Sequence, residues 1–392
     1  MSNSAAGRAP AASTVLFLLP WSPDHAGGVN TVVKALYDAA DREGAVAPLI
    51  GVNDWNAMQP VWEAHPTLRV FRVRIPPAPH GAAGWAKYAL WFLGRGRALL
   101  RFLVCQNVQA VNVHYPSSSA WFFVLARRLG FWRGRLVLSY HGLDIDTAAR
   151  LAGGEYARHR ATLEAADAIT TCSRALKHRL VRAFGPGADR AIAVHNGTDW
   201  ANCLAPAQVD ERARAPVGLV LNVGTFEAKK GQDVLLRAFA RLTAPELRLR
   251  VIGRTGAALA PLRTLAAELG IAARVEFLSD LSHAATLAHY RAAQVFVSAS
   301  REEPFGIAIL EAGAAGLPVV ATAVGGVIEF LDDGRNACLV DAEDDAAMAA
   351  SIMRLRDDAD LRARLAFELN ADVRTKYTWN AAWRRYEALL CR

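Results

Sequence analysis

The sequence has little of what defines several protein classes. Its five cysteines are scattered over 392 residues, with no CxxC pair and no spacing typical of a metal site. We therefore predict reduced thiols, no disulfide framework and no bound metal. No uninterrupted apolar run is long enough to span a bilayer. The first apolar segment is not followed by G-x-G-x-x-G, which makes a nicotinamide-dependent dehydrogenase a weak alternative.

Acidic residues are missing from one long segment. No Asp or Glu occurs between Glu63 and Asp144, and the formal net charge of the whole chain is +8. The cations of this basic window, residues 64–143, are Arg69, Arg72, Arg74, Lys87, Arg95, Arg97, Arg101, Arg127, Arg128, Arg133 and Arg135. A surface of this kind attracts anionic partners. No recognisable nucleic-acid module accompanies it, so we do not expect nucleic acid as a partner.

Residues 85–104 combine aromatic and basic side chains inside that window. The apolar residues at helical spacing are Trp85, Tyr88, Phe92, Leu99 and Leu103. One interpretation is a helix that lies in an anionic membrane interface with its aromatic side chains inserted. The other is a helix that buries this stripe against a sheet and exposes its cations. The sequence leaves both open.

The rest of the chain alternates short apolar segments with helical patterns, and its length suffices for two α/β domains. Thr14–Leu19 is predicted as the first buried strand, and the recurring βα order predicts mostly parallel sheets with helices on both faces. The predicted parts are an N-terminal domain over 1–200, a linker over 201–216, a C-terminal domain over 217–375, and a helix over 376–392 that packs back on the N-terminal domain.

Residues 294–326 contain the most informative pattern. A short strand over 295–297 leads through a polar loop into a helix predicted over 305–315. Ligands bind at such a strand end, because the first-turn amides of the helix are free and its dipole favours an anion. Glu303 and Glu311 bracket this turn, and carboxylates accept hydrogen bonds from hydroxyls. Phosphate and hydroxyl recognition together indicate a nucleotide sugar.

Other candidate site residues stand at strand ends or before helices in the first half of the chain. Gly27 and Gly28 enter a helix, where glycine allows close approach of a phosphate or sugar, although a tight turn explains a lone pair equally well. His141 follows an apolar strand, which favours a functional position over a core position. His114 ends a similar strand, and both positions remain open for it.

These and further motifs, in their order and spacing, resemble the retaining GT-B glycosyltransferases of family 4 over nearly the whole chain. The motifs are Gly27-Gly28-Val29, Tyr140-His141-Gly142, Ser173-Arg174, His195-Asn196-Gly197, Val223-Gly224, Lys230-Gly231, Glu303 and Glu311 with seven residues between them, and Gly325-Gly326.

The resemblance implies an α/β fold of the GT-B type, with two Rossmann-like doubly wound domains that face each other across a cleft. It implies catalytic roles for His141 beside the reacting sugar, Glu303 at the transferred sugar and Lys230 at the donor diphosphate. It also implies a donor site in which Glu311 accepts from the ribose hydroxyls. The donor-binding residues that follow from it are Gly28, Thr225, Lys230, Arg254, Phe305, Gly306, Ile307 and Glu311.

Thr225 departs from the family pattern, in which an arginine directly follows the glycine of the Val-Gly pair. Threonine offers a neutral hydrogen bond and no charge. Phosphate binding is therefore expected to depend more on Lys230, on the helix dipole and on Arg254.

The function implied by the resemblance is transfer of a hexose from a UDP- or GDP-sugar to an acceptor hydroxyl with retained anomeric configuration, without a metal or a cofactor. A glycan or lipid-linked acceptor is expected, as in surface polysaccharide or glycolipid assembly. A cytoplasmic protein follows, with the basic window as a peripheral contact to the cytoplasmic face of the inner membrane. The alternative is a catalytically silent GT-B-like protein that binds a sugar or a partner.

Overall fold

Buried branched-chain strands and amphipathic helices alternate along the chain, and they build two separate units. The computed structural model describes residues 13–25, 27–199 and 202–391. The first unit comprises the chain up to Val194 together with the residues from Ala382 onwards. The second unit comprises His195–Ala381.

The first unit is built on a sheet whose strands alternate with helices, except that the second, third and fourth strands follow one another without a helix between them. Its strands are β1 (Thr14–Leu19), β2 (Ala47–Asn53), β3 (Val61–Glu63), β4 (Val70–Val73), β5 (Val108–His114), β6 (Arg135–Tyr140), β7 (Ala168–Thr171) and β8 (Ile192–Ala193). Its helices are α1 (Gly28–Glu43), α2 (Gly81–Trp91), α3 (Arg97–Cys105), α4 (Trp121–Arg128), α5 (Leu143–Ala149), α6 (Gly153–Ala165) and α7 (Arg174–Phe184).

Strand order in this sheet is β3-β4-β2-β1-β5-β6-β7-β8 among the described residues. The described pairs are parallel, except that β3 runs antiparallel to β4 at the edge. All six residues of β1 are buried, because the strand is central and both faces of the sheet are covered. Thr14–Leu19 is thus the buried strand that its sequence predicted.

The last helix, α15 (Trp379–Leu390), ends in the first unit. The Trp383 side chain has no exposed surface, and its ring lies 6.3 Å from that of Phe17 in β1. The Tyr386 hydroxyl lies 3.3 Å from the Thr170 hydroxyl in β7. The guanidinium of Arg135 donates to the carbonyl of Leu389 at 2.9 Å. The end of the chain therefore completes the packing of a sheet whose strands come from its first half.

The second unit repeats the doubly wound pattern with a smaller sheet of order β11-β10-β9-β12-β13-β14 among the described residues. Its strands are β9 (Leu219–Val223), β10 (Arg248–Gly253), β11 (Val275–Ser279), β12 (Val295–Ser298), β13 (Val319–Thr322) and β14 (Cys338–Val340). Its helices are α8 (Pro206–Arg214), α9 (Gln232–Ala240), α10 (Leu259–Glu268), α11 (His283–Ala292), α12 (Ile307–Ala314), α13 (Asp345–Asp357) and α14 (Ala359–Lys376). All its described strand pairs are parallel.

The segment 201–216, predicted as a linker, contains α8 and lies within the second unit. Val209 and Ala213 on α8 pack with Ala363 and Ala366 on α14 in a small buried cluster. The segment is rich in alanine and arginine, which are good helix formers, and Pro206 occupies the first helical turn, where proline is tolerated. The composition predicts a linker because α8 buries only two residues, too few to give a clear helical pattern in the sequence.

The predicted aromatic stripe of 85–104 is mostly buried. Tyr88, Phe92, Leu99 and Leu103 are at most 7% exposed, and only Trp85 has a largely open ring. The buried side chains Tyr88 and Phe92 therefore pack inside the first unit, whereas a membrane contact of the basic window stays a prediction. A π-helical turn at Phe92–Gly96 joins α2 to α3, so the segment continues through its glycines. No helix in the described ranges is both long and apolar enough to cross a membrane.

Candidate functional site

Lys230 lies in the loop between β9 and α9, at the carboxyl edge of the second sheet. The loop residues Ala228–Lys230 form a short 3-10 turn. Gly231 then adopts a φ of 58°, and a Cβ at this position would lie 1.9 Å from the carbonyl oxygen of Ala299. Glycine is thus required where this loop meets the loop after β12. The backbone amide of Arg301 also donates to the carbonyl of Lys229 at 2.8 Å.

The structure brings Lys230 and Glu303 into direct contact. The ammonium of Lys230 donates to a carboxylate oxygen of Glu303 at 2.7 Å, and the two side chains are 20% and 13% exposed. The Ser300 hydroxyl donates to the same carboxylate at 3.3 Å. The carbonyl of Glu303 accepts from the amide of Gly326 at 2.9 Å. Two strand ends of the sheet thereby hold one cation and one anion side by side.

Helix α12 begins at Ile307, two residues later than the sequence predicted. Gly306 precedes the helix with a φ of 109°. This value favours glycine and lies outside the range of right-handed helices. Phe305 is therefore outside the helix, and its buried ring lies 5.3 Å from that of His195 and 5.1 Å from that of Phe330. The helix N-terminus, with its positive dipole end, therefore lies at Ile307 and not at Phe305.

Glu311 lies on α12 just beyond its first turn. Its carboxylate contacts Nε2 of His283, at the start of α11, at a distance of 2.9 Å. The Glu311 side chain is 11% exposed, whereas that of His283 is 59% exposed. The hydrogen bond to Glu311 raises the pKa of His283, and burial acts in the opposite direction. The carboxylate thus already has a hydrogen-bond donor beside it.

Thr225 and Arg254 lie at the ends of the neighbouring strands β9 and β10. The carbonyl of Thr225 accepts from the amide of Glu227 at 2.8 Å and from the side-chain amide of Gln232 at 3.3 Å. The amide of Phe226 donates to the carbonyl of Arg254 at 3.2 Å. These backbone contacts hold the segments that follow β9 and β10 side by side, one with the neutral Thr225 and the other with the cation Arg254.

In the first unit, His141 directly follows β6 and is partly buried. The buried carboxylate of Asp144 accepts from the backbone amides of His141 at 2.9 Å, Gly142 at 2.7 Å and Ile145 at 3.1 Å. Burial raises the pKa of Asp144 to about 6, although these hydrogen bonds act in the opposite direction. Asp144 thus holds the turn that presents His141.

His114 ends β5, next to β6 in the sheet, and has no exposed surface. Its Nδ1 lies 3.0 Å from Nε2 of His141. Of the two positions left open by the sequence, a core position is therefore the one that His114 occupies. It is nonetheless a direct neighbour of a candidate site residue.

Gly28 is the first residue of α1, and Gly27 is its N-cap. A Cβ on either glycine would meet no described atom within 4 Å. Gly28 also lacks the positive φ that excludes other residues. Packing and backbone strain therefore do not require glycine at this position. The explanation left for Gly28 is the open space in front of the helix.

Comparison with known proteins decides the family. A model described as Glycosyltransferase Family 4 matches residues 26–201, and one described as Glycosyl transferases group 1 matches residues 210–368. A D-inositol 3-phosphate glycosyltransferase from Xylanimonas cellulosilytica is 30% identical over 380 residues, which cover 91% of this chain and 89% of the relative. The chain belongs to the family 4 glycosyltransferases. A D-inositol 3-phosphate glycosyltransferase from a Nocardioides species is a similar match to this glycosyltransferase, 31% identical over 87% of this chain and 80% of the relative.

Solved structures show the same fold as this glycosyltransferase. Sucrose-phosphate synthase from Thermosynechococcus elongatus has a TM-score of 0.74 at 23% identity and covers 96% of this chain and 98% of its own. HepE from Anabaena, solved in complex with UDP, has a TM-score of 0.72 at 18% identity and covers 97% of this chain and 99% of its own. The two parallel-sheet units are thus those of the GT-B glycosyltransferases.

Sequence reasoning missed three residues that contact the candidate site residues. They are Asp144 beside His141, His283 beside Glu311, and Glu329, whose carboxylate lies 3.0 Å from His195, a motif residue that also contacts Phe305. Asp144 could have been found, because an aspartate shortly after a strand end often accepts from turn amides. His283 gave no local signal, since it is far from Glu311 in the sequence. Within the described ranges, no group of three His, Cys, Asp or Glu side chains is placed to hold a metal ion.

Proposed function

We propose that this glycosyltransferase transfers a hexose from a UDP- or GDP-sugar to an acceptor hydroxyl and retains the anomeric configuration. The observation that carries the proposal is the contact of Lys230 with Glu303 beside the start of α12, with Glu311 further along the same helix. HepE, a structural neighbour, has been solved with UDP and with UDP-glucose, which supports a nucleotide sugar as the donor.

Lys230 would neutralise the donor diphosphate. A compact ammonium on a flexible stem suits this task, and the first-turn amides of α12 would add hydrogen bonds to the phosphate oxygens. The ammonium contacts the Glu303 carboxylate at 2.7 Å. A bound diphosphate would therefore either displace this carboxylate from the ammonium or share the ammonium with it. Arg254 supplies a second cation on the neighbouring strand.

Glu311 would accept hydrogen bonds from the ribose hydroxyls of the donor. An ionised carboxylate can accept several hydrogen bonds, so His283 and a ribose hydroxyl can bind it together. Glu303 and the backbone of Gly306 and Ile307 would contact the transferred sugar and the phosphates. From the first unit, His141 would contact the sugar, and Gly28 would leave room for a phosphate or the acceptor.

The mechanism that fits these residues is attack of the acceptor on the face that the diphosphate leaves, through an oxocarbenium-like state without an enzyme nucleophile. The residues would act by holding the reactants in place and by stabilising the charge that develops on the departing diphosphate. Lys230 and the α12 amides can supply this stabilisation without a metal. We therefore expect turnover to be unchanged in excess EDTA, and a full loss restored by Mg²⁺ would contradict metal independence.

The donor assignment is tested by Glu311→Ala in the full chain. We expect the nucleotide sugar to lose at least about tenfold in affinity, because a charged hydrogen-bond acceptor disappears from a largely buried position. Isothermal titration with UDP-glucose and GDP-mannose as probes measures this loss. Glu268→Ala, at an exposed end of α10, is the matched control. Unchanged affinity and turnover in the Glu311 variant would disprove the assignment.

A lipid-linked or membrane-proximal acceptor is the finer proposal for the first unit. The exposed face of α2, the π-helical turn and α3 carries Leu90, Leu93 and Val104, which are 73%, 63% and 66% exposed, together with the exposed cations Arg97 and Arg101. Apolar side chains flanked by arginines suit an anionic bilayer surface. We therefore propose this exposed face, and not the buried stripe on the other side of the same helices, as the membrane contact.

Sedimentation with phosphatidylglycerol vesicles tests this surface. We expect binding at low salt that falls at high salt, and less binding by Leu93→Glu. Phe367→Glu, at an exposed position in the second unit, is the matched control and should sediment like the unchanged protein. Absence of sedimentation at low salt would favour a soluble glycan acceptor.

The alternative is a catalytically silent relative that binds a sugar or a partner. Thr225 is the observation behind it, since this side chain brings no charge to the diphosphate. Purified protein that transfers or hydrolyses a nucleotide sugar, as seen by mass spectrometry of the products, would remove this alternative.

A further inference from the structure

Two histidines of the first unit share one hydrogen bond. Nδ1 of His114, at the end of β5, lies 3.0 Å from Nε2 of His141, after β6. One of the two nitrogens must therefore carry the proton and the other must accept it. This choice fixes the tautomer of both rings.

Both rings are neutral near pH 7. Burial lowers the pKa of His141 to about 4. Burial, and after it the neighbouring His141, holds the pKa of His114 well below its ordinary value of 6.5. Each imidazole thus has a single proton, and the shared hydrogen bond uses only one of the two protons.

The second nitrogen of His114 shows which ring donates. His114 Nε2 is buried and has no hydrogen-bond partner among the described residues. Besides the His141 ring, the rings of Phe17 and Tyr386 lie nearby, with centroids 6.0 Å and 6.3 Å from that of His114. If His141 donated, the proton of His114 would be on Nε2, as a buried donor without an acceptor. If His114 donates, Nε2 is a bare nitrogen, and unpaired buried acceptors are tolerated better than unpaired donors.

We infer that His114 donates from Nδ1 to Nε2 of His141 and thereby places the single proton of His141 on Nδ1. Nδ1 of His141 forms no hydrogen bond within the described ranges, and the residue is only partly buried. Asp144 holds the backbone of the same residue through its amide. The His141 ring is therefore fixed at both ends and presents one neutral N–H donor.

His114 is accordingly a positioning residue that acts through His141. An N–H group at His141 Nδ1 can donate to a hydroxyl or ring oxygen of the transferred sugar, whereas a bare nitrogen there can only accept. This use of the proton rests on the proposed function. The tautomer itself does not, so the two can be tested separately.

The first test reads the tautomer directly in the full chain without substrate. Long-range ¹H–¹⁵N correlation spectra of protein labelled with ¹⁵N-histidine separate protonated from bare ring nitrogens, and the His141→Gln variant identifies the signals of His141. We expect a protonated Nδ1 and a bare Nε2 for His141 at pH 7.5. A protonated Nε2 would overturn the inference whatever the activity of the protein.

The second test uses variants of His114. Asparagine places an amide N–H close to the position of Nδ1, so His114→Asn should keep the His141 tautomer, whereas His114→Leu removes the donor. With UDP-glucose or GDP-mannose as the donor, we expect kcat of His114→Leu to fall about tenfold, the effect of one buried hydrogen bond, with a much smaller change in donor KM. His114→Asn should recover most of this loss.

His159 provides the matched control. It is equally buried, in α6, and its Nε2 lies 2.9 Å from the hydroxyl of Tyr140, the residue before His141, and not from either ring of the histidine pair. His159→Leu should lower thermal stability but leave the His141 tautomer and kcat unchanged. A folded His114→Asn with the activity of His114→Leu would contradict the positioning role. Absence of transferase activity in every protein, with the expected spectrum for His141, would instead contradict only the proposed function.

Discussion

At the scale of single residues, Lys230 and Glu303 form a mostly buried ion pair in the proposed donor site. The two groups are mostly buried and contact each other at 2.7 Å, so each compensates the desolvation of the other. If Lys230 binds a diphosphate as proposed, that diphosphate must compete with a carboxylate for the same ammonium. The lack of charge at Thr225 would make this competition more important, because a threonine cannot share the task.

We predict that Thr225→Arg tightens donor binding. A guanidinium beside Lys230 would add charged hydrogen bonds to the diphosphate, worth about 1.4 kcal/mol or tenfold in affinity. The gain should shrink at high salt, because it is electrostatic. Titration of UDP-glucose and GDP-mannose at low and high salt measures both effects.

Thr225→Gln is the control for side-chain size without charge. It should bind the donor about as well as the unchanged protein. Equal gains for the arginine and glutamine variants would show that shape, and not charge, limits binding at this position.

The contact between His283 and Glu311 should make stability depend on pH. The pKa of His283 is raised above 6.5 in the folded state, chiefly by its hydrogen bond to Glu311. The contact therefore stabilises the fold fully below about pH 6.5, and its contribution is lost as the pH rises through the folded pKa. Because His283 is 59% exposed, we expect an effect well below about 1 kcal/mol.

Thermal unfolding of His283→Ala at pH 5.5 and pH 9 checks this sign. The variant should be less stable than the unchanged protein at pH 5.5 and nearly as stable at pH 9. A stability difference of the same size at both pH values would contradict the linkage.

At the scale of elements, the conformation of the loop between β9 and α9 requires a glycine at position 231. Gly231 combines a φ of 58° with a Cβ position only 1.9 Å from the Ala299 carbonyl oxygen. We predict that Gly231→Ala destabilises the second unit by at least about 3 kcal/mol, because the β12 loop must move, and that donor binding falls with it. Denaturant unfolding and donor titration measure the two effects.

Gly270 separates steric conflict from backbone strain. It has a φ of 70°, and a Cβ there would meet no described atom within 4 Å. Gly270→Ala should cost only about 1 kcal/mol from the left-handed conformation and should leave donor binding unchanged. If Gly270→Ala lost as much stability as Gly231→Ala, backbone strain alone would explain the destabilisation of both variants.

The sequence predicted most elements because their signals are local. The alternation of apolar strands and helices, and residues such as Lys230 and Glu311 at strand ends or helix starts, follow from short patterns. Helix α8 was taken for a linker, since its stabilisation comes from α14 far along the chain. The start of α12 was placed at Phe305, because only the φ of Gly306 shows that the helix begins later.

The site was less predictable than the fold for the same reason. Contacts between His114 and His141, or between His283 and Glu311, join residues 27 or 28 positions apart through the register of strands and helices. Burial, which raises the pKa of Asp144 and lowers that of His114, is likewise a property of the folded unit. The sequence alone could suggest residue types for the site but not their hydrogen-bond partners.

At the scale of the whole molecule, the first unit depends on the end of the chain. Trp383 is fully buried and its ring packs near Phe17 in the central strand β1. We predict that Trp383→Ala destabilises the first unit by about 3–5 kcal/mol, the usual cost of truncating a buried aromatic side chain. Hydrogen exchange should show faster exchange in β1 and β5 with little change in β9 and β12.

Trp85→Ala is the comparison for aromatic truncation at an exposed site. Because its ring is 43% exposed, the variant should lose much less stability than Trp383→Ala. Equal acceleration of exchange in both units for Trp383→Ala would mean that the two units unfold together.

The first unit is also discontinuous along the sequence, since the residues after Ala381 return to it only after the whole second unit. A ribosome adds about 5–20 residues per second, so roughly ten to forty seconds separate the synthesis of β8 from that of α15. During this interval the nascent first sheet lacks the helix that covers Phe17. The later half can acquire its complete set of elements first, so the order of folding in the cell need not follow the order of synthesis.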